Sequence, residues 1–456
     1  MRNADAREIK IAYIGGGSRG WAWGLMKDLA LCPHLKGRIA LYDIDYAAAA
    51  SNARIAETIF RHAQSKTYFR ATAERTARAA LRGADVVVCS IEPGPMTMRY
   101  ADLQIPARYG IVQPVGDTVG PGGLMRALRA VPVYVEYARL IAEVCPKAWV
   151  INYTNPMTLC TAALYAGAPE IRAFGCCHEV FGTQHRLSRL VEQWFRVPRP
   201  KRHDIQLDIT GVNHFTFATA AAWNGHDLMP RLRRMVAGDG FFRDRSAAAR
   251  ARREKREWFS SDGLIAFDFL RRFGALGAAG DRHLAEFVPW YLGSEKEIER
   301  WGVILTPYAW RIRDARAKAK RRGPKLDGLS GTGEEGVLQI LGLMGLQSID
   351  TNVNLPNRGQ APDLPAGAVV ETYAQFRRDS LKPVVSRPMP PALAAVMRKV
   401  VDVQRLTLEA AIDRDRDLAF QALLNDPLVR LPTDRAWKMF NEMLAWCRPM
   451  LRGWRT

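Results

Sequence analysis

The sequence predicts an α/β protein: a Rossmann-like, doubly wound parallel sheet over residues 1–196, then an α+β domain over residues 197–456. Three observations predict it. Short apolar runs alternate with helix-compatible segments along the first domain, as strands joined by crossover helices do. The first of these runs stops at a glycine cluster that opens a helix. Near WFRVPRPKRH prolines and bases cluster, and beyond it apolar and polar residues alternate singly, which is the pattern of half-buried antiparallel strands.

Taken in order, IKIAYI is a strand, GGGS a tight turn and the segment from Trp21 a helix. RIALYDID gives a second strand ending at Asp43, AAAASNARIAETIF a helix, and ADVVVCSIE a strand apolar on both faces, as in a buried parallel sheet. After a Gly/Pro-rich loop, LMRALRAVPVYVEYARLIAEV is a helix expected to break near Pro132. AWVINYTNP is the next strand, and CTAALYAGAPEIRAFGCCHE adds a helix and a strand that ends at Cys176, Cys177 and His178. In the second domain Asn224-Gly225 is a turn between extended segments, and LAAVMRKVVDVQRLTLEAAI has the three-and-four spacing of a helix with one buried face.

Composition narrows the function. With 48% hydrophobic and 25% charged residues the chain is neither disordered nor fibrous. No apolar run reaches the ~20 residues that span a bilayer, and no signal-peptide core precedes the first strand, so a cytoplasmic location is expected. Seven cysteines suit reduced thiols or a metal ligand better than a disulfide framework. The net charge of +20 favours anionic ligands. Two basic runs, at 245–257 and 311–325, lack interleaved aromatics and read as solvated helix faces, so neither nucleic acid nor membrane is expected as a partner.

Several residues carry chemistry. Gly15, Gly16, Gly17 and Ser18 lie between a strand and a helix, where backbone N–H groups and the helix dipole receive a pyrophosphate. Asp43, at the end of the second strand, is positioned to accept from a ribose 2′-hydroxyl, which favours NAD over NADP. Cys177, His178 and His214 lie near strand ends, and a thiolate with an imidazole suits a borderline divalent metal, although buried packing would also account for a cysteine there. Asp117, Asn155, Asp281, His283 and Glu286 are polar groups in apolar or glycine-rich surroundings. Helix or loop capping is the alternative for the first two, and exposure at a helix start for Asp281 and His283.

As a set, GGGS, VGDTVGPGG, NYTNPM, GCCHEV, GVNHF and NLPNRGQAPDLPAGAVVE resemble glycoside hydrolase family 4, the NAD- and metal-dependent glycosidases. WVINYTNPMTLC with FGCCHEVFGTQ is most similar to its α-galacturonidase branch. The resemblance implies hydrolysis of terminal α-galacturonides in small oligogalacturonides by NAD-dependent oxidation at carbon 3, metal-assisted elimination, water addition and re-reduction, a scheme outside the usual two-carboxylate mechanism. It assigns Gly15, Gly16, Gly17, Ser18 and Asp43 to NAD, Cys177 and His214 to Mn²⁺ or another divalent metal, and Asn155 and Asp117 to substrate hydroxyls. The phosphoglucosidase branch has an acidic residue where this chain has His178, and a tyrosine base where this chain offers Asp281, so His178 and Asp281 are the expected acid and base. Arg99, Arg282 and Arg358 are candidates for the substrate carboxylate, and Cys176 stays open as an extra thiol. A homodimer or homotetramer is expected by analogy. The alternatives are another family 4 α-glycosidase (α-glucuronidase, α-galactosidase or α-glucosidase) and a plain NAD-dependent 2-hydroxy acid dehydrogenase, which would have no use for the metal pair.

Overall fold

A computed structural model describes residues 6–454. Strands β1 (Arg7–Ile14), β2 (Leu35–Tyr42), β3 (Phe69–Glu74), β4 (Val86–Cys89), β5 (Trp149–Asn152) and β6 (Arg172–Gly175) form a parallel sheet in the order β3-β2-β1-β4-β5-β6. Alternation along β1 feeds two cores. Ile9, Ile11 and Tyr13 pack with Trp23, Met26 and Leu29 of helix Trp21–Ala30 and with Ile55 and Ile59 of helix Tyr46–Phe60. Ala12 and Ile14 face the opposite side, toward Leu128 and Val131 of helix Gly120–Val144 and Leu159 and Ala163 of helix Met157–Gly167. This doubly wound order leaves a crevice at the carboxyl ends of β1 and β4, where such sheets bind ligands.

Two expectations need correction. The edge strand β3 is missing from the sequence reading, because FRATAE is mostly half-buried and lacks the apolar run of its neighbours. The helix expected to break near Pro132 runs unbroken from Gly120 to Val144. Pro132 forfeits one backbone bond, but Leu124, Leu128, Val131 and Val135, buried in the core around it, hold the segment helical.

The second region contributes β7 (Ile205–Val212), β8 (Phe215–Trp223), β9 (His226–Asp227) and β10 (Leu276–Gly277), a separate antiparallel sheet in the order β10-β8-β7 with β9 on β8. The expected Asn224-Gly225 turn closes β8 onto β9, with both residues at positive φ. Strands β11 (Ile349–Pro356), β12 (Val369–Arg377) and β13 (Ser380–Pro383), all antiparallel, continue the first sheet beyond β6 through the Asn354–Gly175 pair. A division after residue 196 therefore falls between elements, yet the sheet itself crosses it. Among the described residues no helix is long and apolar enough to cross a membrane.

A buried ion pair fixes the segment that carries Arg99. Arg129 of helix Gly120–Val144 donates twice to Asp102, at 2.9 Å to each oxygen, with side chains 1% and 0% exposed. Asp102 lies in the π-helical turn Tyr100–Gln104 that follows Arg99. Arg129→Met leaves a buried carboxylate unpaired and is expected to cost about 3–5 kcal/mol, read as a lower urea midpoint. The double variant Arg129→Met/Asp102→Leu should lose less than the single one.

Candidate active site

The glycine loop is built by close approach. Gly15 has φ 90°, and a Cβ there would come within 2.0 Å of the Ser90 carbonyl oxygen. Gly15 and Gly16 donate their N–H groups to the Tyr42 carbonyl at 2.9 and 2.8 Å, tying the loop to the end of β2. Asp43 accepts from Gly17 N and from Asp45 N, both at 2.9 Å, so its carboxylate fixes the loop while each oxygen keeps a lone pair for a further donor. Asn52, absent from the sequence reading, completes the latch: Nδ2 donates to the carbonyls of Gly16 (2.8 Å) and Ser18 (2.9 Å), and Oδ1 accepts from Trp23 Nε1 (2.7 Å). Helix Trp21–Ala30 starts at Gly20 with no side-chain cap, leaving its first N–H groups available beside a cavity of about 430 Å³ lined by Ser18, Arg19, Trp21, Tyr153 and Glu334.

A second cluster lies between the two sheets' ends. Ligand atoms of Asp117, His214 and His283 all lie within 4.8 Å of one another. His214 occupies the two-residue turn that joins β7 to β8, at φ 68°, and is buried. The single hydroxyl hydrogen of Thr118 goes to Asp117 Oδ1 at 2.7 Å, so its oxygen accepts from His214 Nδ1 at 2.8 Å and leaves Nε2 as a free lone pair. Burial, reinforced by the neighbouring His283, lowers the His214 pKa to about 3, which keeps the ring neutral. The His283 ring lies 3.8 Å from that of His214, and its Nε2 is 3.6 Å from Glu179 Oε1. Burial alone would raise Asp117, but the Arg99 guanidinium first, with His283 and Arg126, holds it below the usual carboxylate range.

Polar atoms around this cluster are buried without hydrogen-bond partners: Asn155 Oδ1 and both side-chain amide atoms of Asn213. Asn155 Nδ2 reaches Asp117 Oδ2 at 3.5 Å. A carboxylate, a neutral imidazole and orphaned amide oxygens together fit a divalent cation and the hydroxyls of a polar ligand.

The other expected residues have distinct surroundings. Cys177 is buried beside Asn213 and is not a member of the Asp117, His214 and His283 set; burial, then Glu371 and Glu179, push its thiol well above the usual range. Cys176 points the other way, into the core with Phe174 and Ile151, because neighbours at a strand end face opposite sides. His178 is half exposed, with Nδ1 2.9 Å from Glu334 Oε1 and its ring 6.2 Å from that of Trp21. It therefore stands beside two residues that line the cavity next to the glycine loop, and is outside the ligand set. Asp281 is fully buried, with Oδ1 accepting from Ala266 N at 3.1 Å in the first turn of helix Leu264–Phe273 and Oδ2 unpartnered. Arg99 donates to the Gly116 carbonyl at 3.1 Å and Arg282 to the Pro114 carbonyl at 2.5 Å, both beside Asp117. Arg358 is exposed in the loop after β11, is not brought to this cluster, and is set aside.

Sequence reasoning missed Thr118, Glu179 and Asn213, and left His283 without a role. His283 stands two residues after Asp281, and a short helix Asp281–Leu284 turns the two side chains in different directions.

The chain is similar to known proteins. Models of family 4 glycosyl hydrolases match residues 10–193, and of their C-terminal domain residues 209–429. The chain is 45% identical to an alpha-galacturonidase of Thermoanaerobacterium saccharolyticum over 100% of its own length and 99% of that protein. The crystal structure of lplD from Bacillus subtilis is 41% identical, with TM-score 0.86, covering 96% of this chain and 100% of that one. A 6-phospho-beta glucosidase of Thermotoga maritima, crystallised with manganese, NAD+ and glucose-6-phosphate, shares the fold at 21% identity and TM-score 0.75, covering 97% of this chain and 99% of that one.

Asn52→Leu should strand two carbonyls and an indole N–H of the glycine loop. We expect a loss of about 1–3 kcal/mol in urea unfolding, against less than about 0.5 kcal/mol for a surface control such as Lys296→Ala.

Proposed function

Since the chain belongs to family 4 of the glycosyl hydrolases, we propose that this glycoside hydrolase is an α-galacturonidase that removes terminal galacturonic acid from small oligogalacturonides with the help of NAD⁺ and a divalent metal such as Mn²⁺. The observation that carries the reading is the 45% identity to an alpha-galacturonidase along the whole of both chains. The guanidinium groups of Arg99 and Arg282 beside Asp117 add a local reason, since a uronide brings a carboxylate that a neutral hexoside lacks.

The loop of Gly15, Gly16, Gly17 and Ser18 would hold the nucleotide pyrophosphate, with Asp43 on the ribose. His214 would hold the metal through its free Nε2, Cys177 through its thiolate, with Asp117 and His283 in reach. When bound, NAD⁺ would supply reversible oxidation at carbon 3 of the sugar and the metal electrostatic stabilisation of charge on the neighbouring oxygens. The chain's own contribution is positioning and proton transfer. Asn155 and Asp117 orient the sugar hydroxyls. Removal of the carbon 2 proton falls to Asp281, whose buried Oδ2 has no partner. His283 is the second reading for this base, favoured by its contact with His214. His178, paired with Glu334, receives no acid role in this scheme. Seven buried free thiols suit a reducing compartment such as the cytoplasm.

Purified protein should cleave digalacturonate only when both NAD⁺ and Mn²⁺ are added, without stoichiometric accumulation of NADH. Chelation of the metal should abolish turnover. Substrate deuterated at carbon 2 should lose its label to solvent during turnover. Deuterium kept in the released sugar would overturn the elimination route, and NADH formed in step with product would favour a dehydrogenase. Replacing His214 with Ala should lower turnover by at least about 100-fold. Label exchange in Asp281→Asn and His283→Asn separates the two bases: the variant that loses exchange identifies the group that takes the proton.

A further inference from the structure

The helix Tyr308–Ala319 opens the second basic run, which composition assigns to a solvated face, and none of its residues is fully buried. Arg311 departs from that description. Its Nη2 turns inward and donates to the Pro114 carbonyl at 2.8 Å, the same oxygen that Arg282 Nη2 reaches at 2.5 Å. Arg99 meets the same loop through the Gly116 carbonyl, 3.1 Å away. Three guanidinium groups thus converge on residues 114–116, immediately before Asp117.

In all three the Nε atom is buried and has no hydrogen-bond partner. The acidic groups nearby are engaged elsewhere. Glu286 accepts from Val115 N, Gly116 N and Gln113 Nε2. Glu92 pairs with Arg126 and stays 3.9 Å from Arg99 Nε. Asp117 accepts from Thr118 and Asn155. Burial, then the charges of Arg99 and Arg282, bring Arg311 down to about 10. Buried cations with unused in-plane donors and too few counter-charges make a site that an anion completes.

Resting on the galacturonidase reading, we propose that Arg311, together with Arg282 and Arg99, receives the carboxylate on carbon 5 of the galacturonosyl unit and determines selectivity for uronides. A pyranose carries carbon 5 across the ring from carbons 2 and 3, and the loop has the same polarity: guanidinium groups gather at residues 114–116, and the carboxylate of the ligand set follows at Asp117. Exposed Phe259 lies over Arg282, 5.1 Å from its guanidinium carbon, and 6.0 Å from the ring of Trp310. These aromatic rings border the cradle.

The test compares wild type with Arg311→Met and Arg311→Lys in the presence of NAD⁺ and Mn²⁺. We measure kcat/KM for digalacturonate and calorimetric binding of free galacturonate and of galactose. Arg311→Met should lose about 10- to 100-fold on digalacturonate and in galacturonate affinity, the range for hydrogen bonds to a charged group. Arg311→Lys should fall in between. Binding of galactose and of NAD⁺ should change less than about threefold, which a merely structural role would not spare. Unchanged galacturonate binding in Arg311→Met, or an equal loss for galactose, overturns the cradle while leaving the galacturonidase reading intact. Wild type that binds galacturonate through Arg311 but cleaves no galacturonide overturns the galacturonidase reading and keeps the cradle.

Discussion

One buried carboxyl group holds the cleft together. Glu286 accepts from the backbone N–H groups of Val115 and Gly116, and burial raises its own pKa to about 8. These bonds fix a stretch of chain that would otherwise expose its amides to a dry interior. With the loop fixed, its carbonyls point at Arg99, Arg282 and Arg311, and its next residue, Asp117, meets His214 and His283. The guanidinium cluster and the Asp117, His214 and His283 set are thus two sides of one short loop. A carboxyl group at this depth would be costly without partners, and the three donors from residues 113–116 are what make it tolerable.

The second constraint is the shared sheet. Because β11 and β12 continue the sheet past β6, Asn352 and Glu371 come under the end of that strand: Asn352 Nδ2 donates to the Cys177 carbonyl at 2.9 Å and to Glu371 at 2.9 Å. Glu371 also accepts from Asn354 and Thr216, which joins the large sheet to the β7–β8 hairpin bearing His214. These buried bonds tie the linked strands to one another, with Asn354 Oδ1 the one atom of the four side chains left without a partner. The relative placement of Cys177 and His214 is therefore a property of three sequence-distant segments.

Much of this was legible in the sequence wherever local pattern decides the outcome. Apolar runs locate β1, β2, β4, β5 and β6, and the glycine cluster with Asp43 marks the loop that the structure ties together. Pattern fails where long-range contact decides. β3 has no apolar signature, and Pro132 is overruled by the packing around it. Cys176 and Cys177 are indistinguishable in sequence yet face opposite sides of the sheet. Arg311 looks like seven other bases in its run, and only its bond to a carbonyl almost two hundred residues away separates it from them. Thr118, Glu179 and Asn52 act through bonds to partners far along the chain, which no spacing rule encodes.

The backbone at His214 has a consequence for anyone who sets out to make this protein hardier. A side-chain-bearing residue at φ 68° between two paired strands is where glycine would fit at no steric cost, and the imidazole there is held at a penalty of roughly 1–2 kcal/mol. A search guided by thermal tolerance alone would therefore single out this turn for repair. The improved molecule would fold more firmly and lack the imidazole that faces Asp117 and His283.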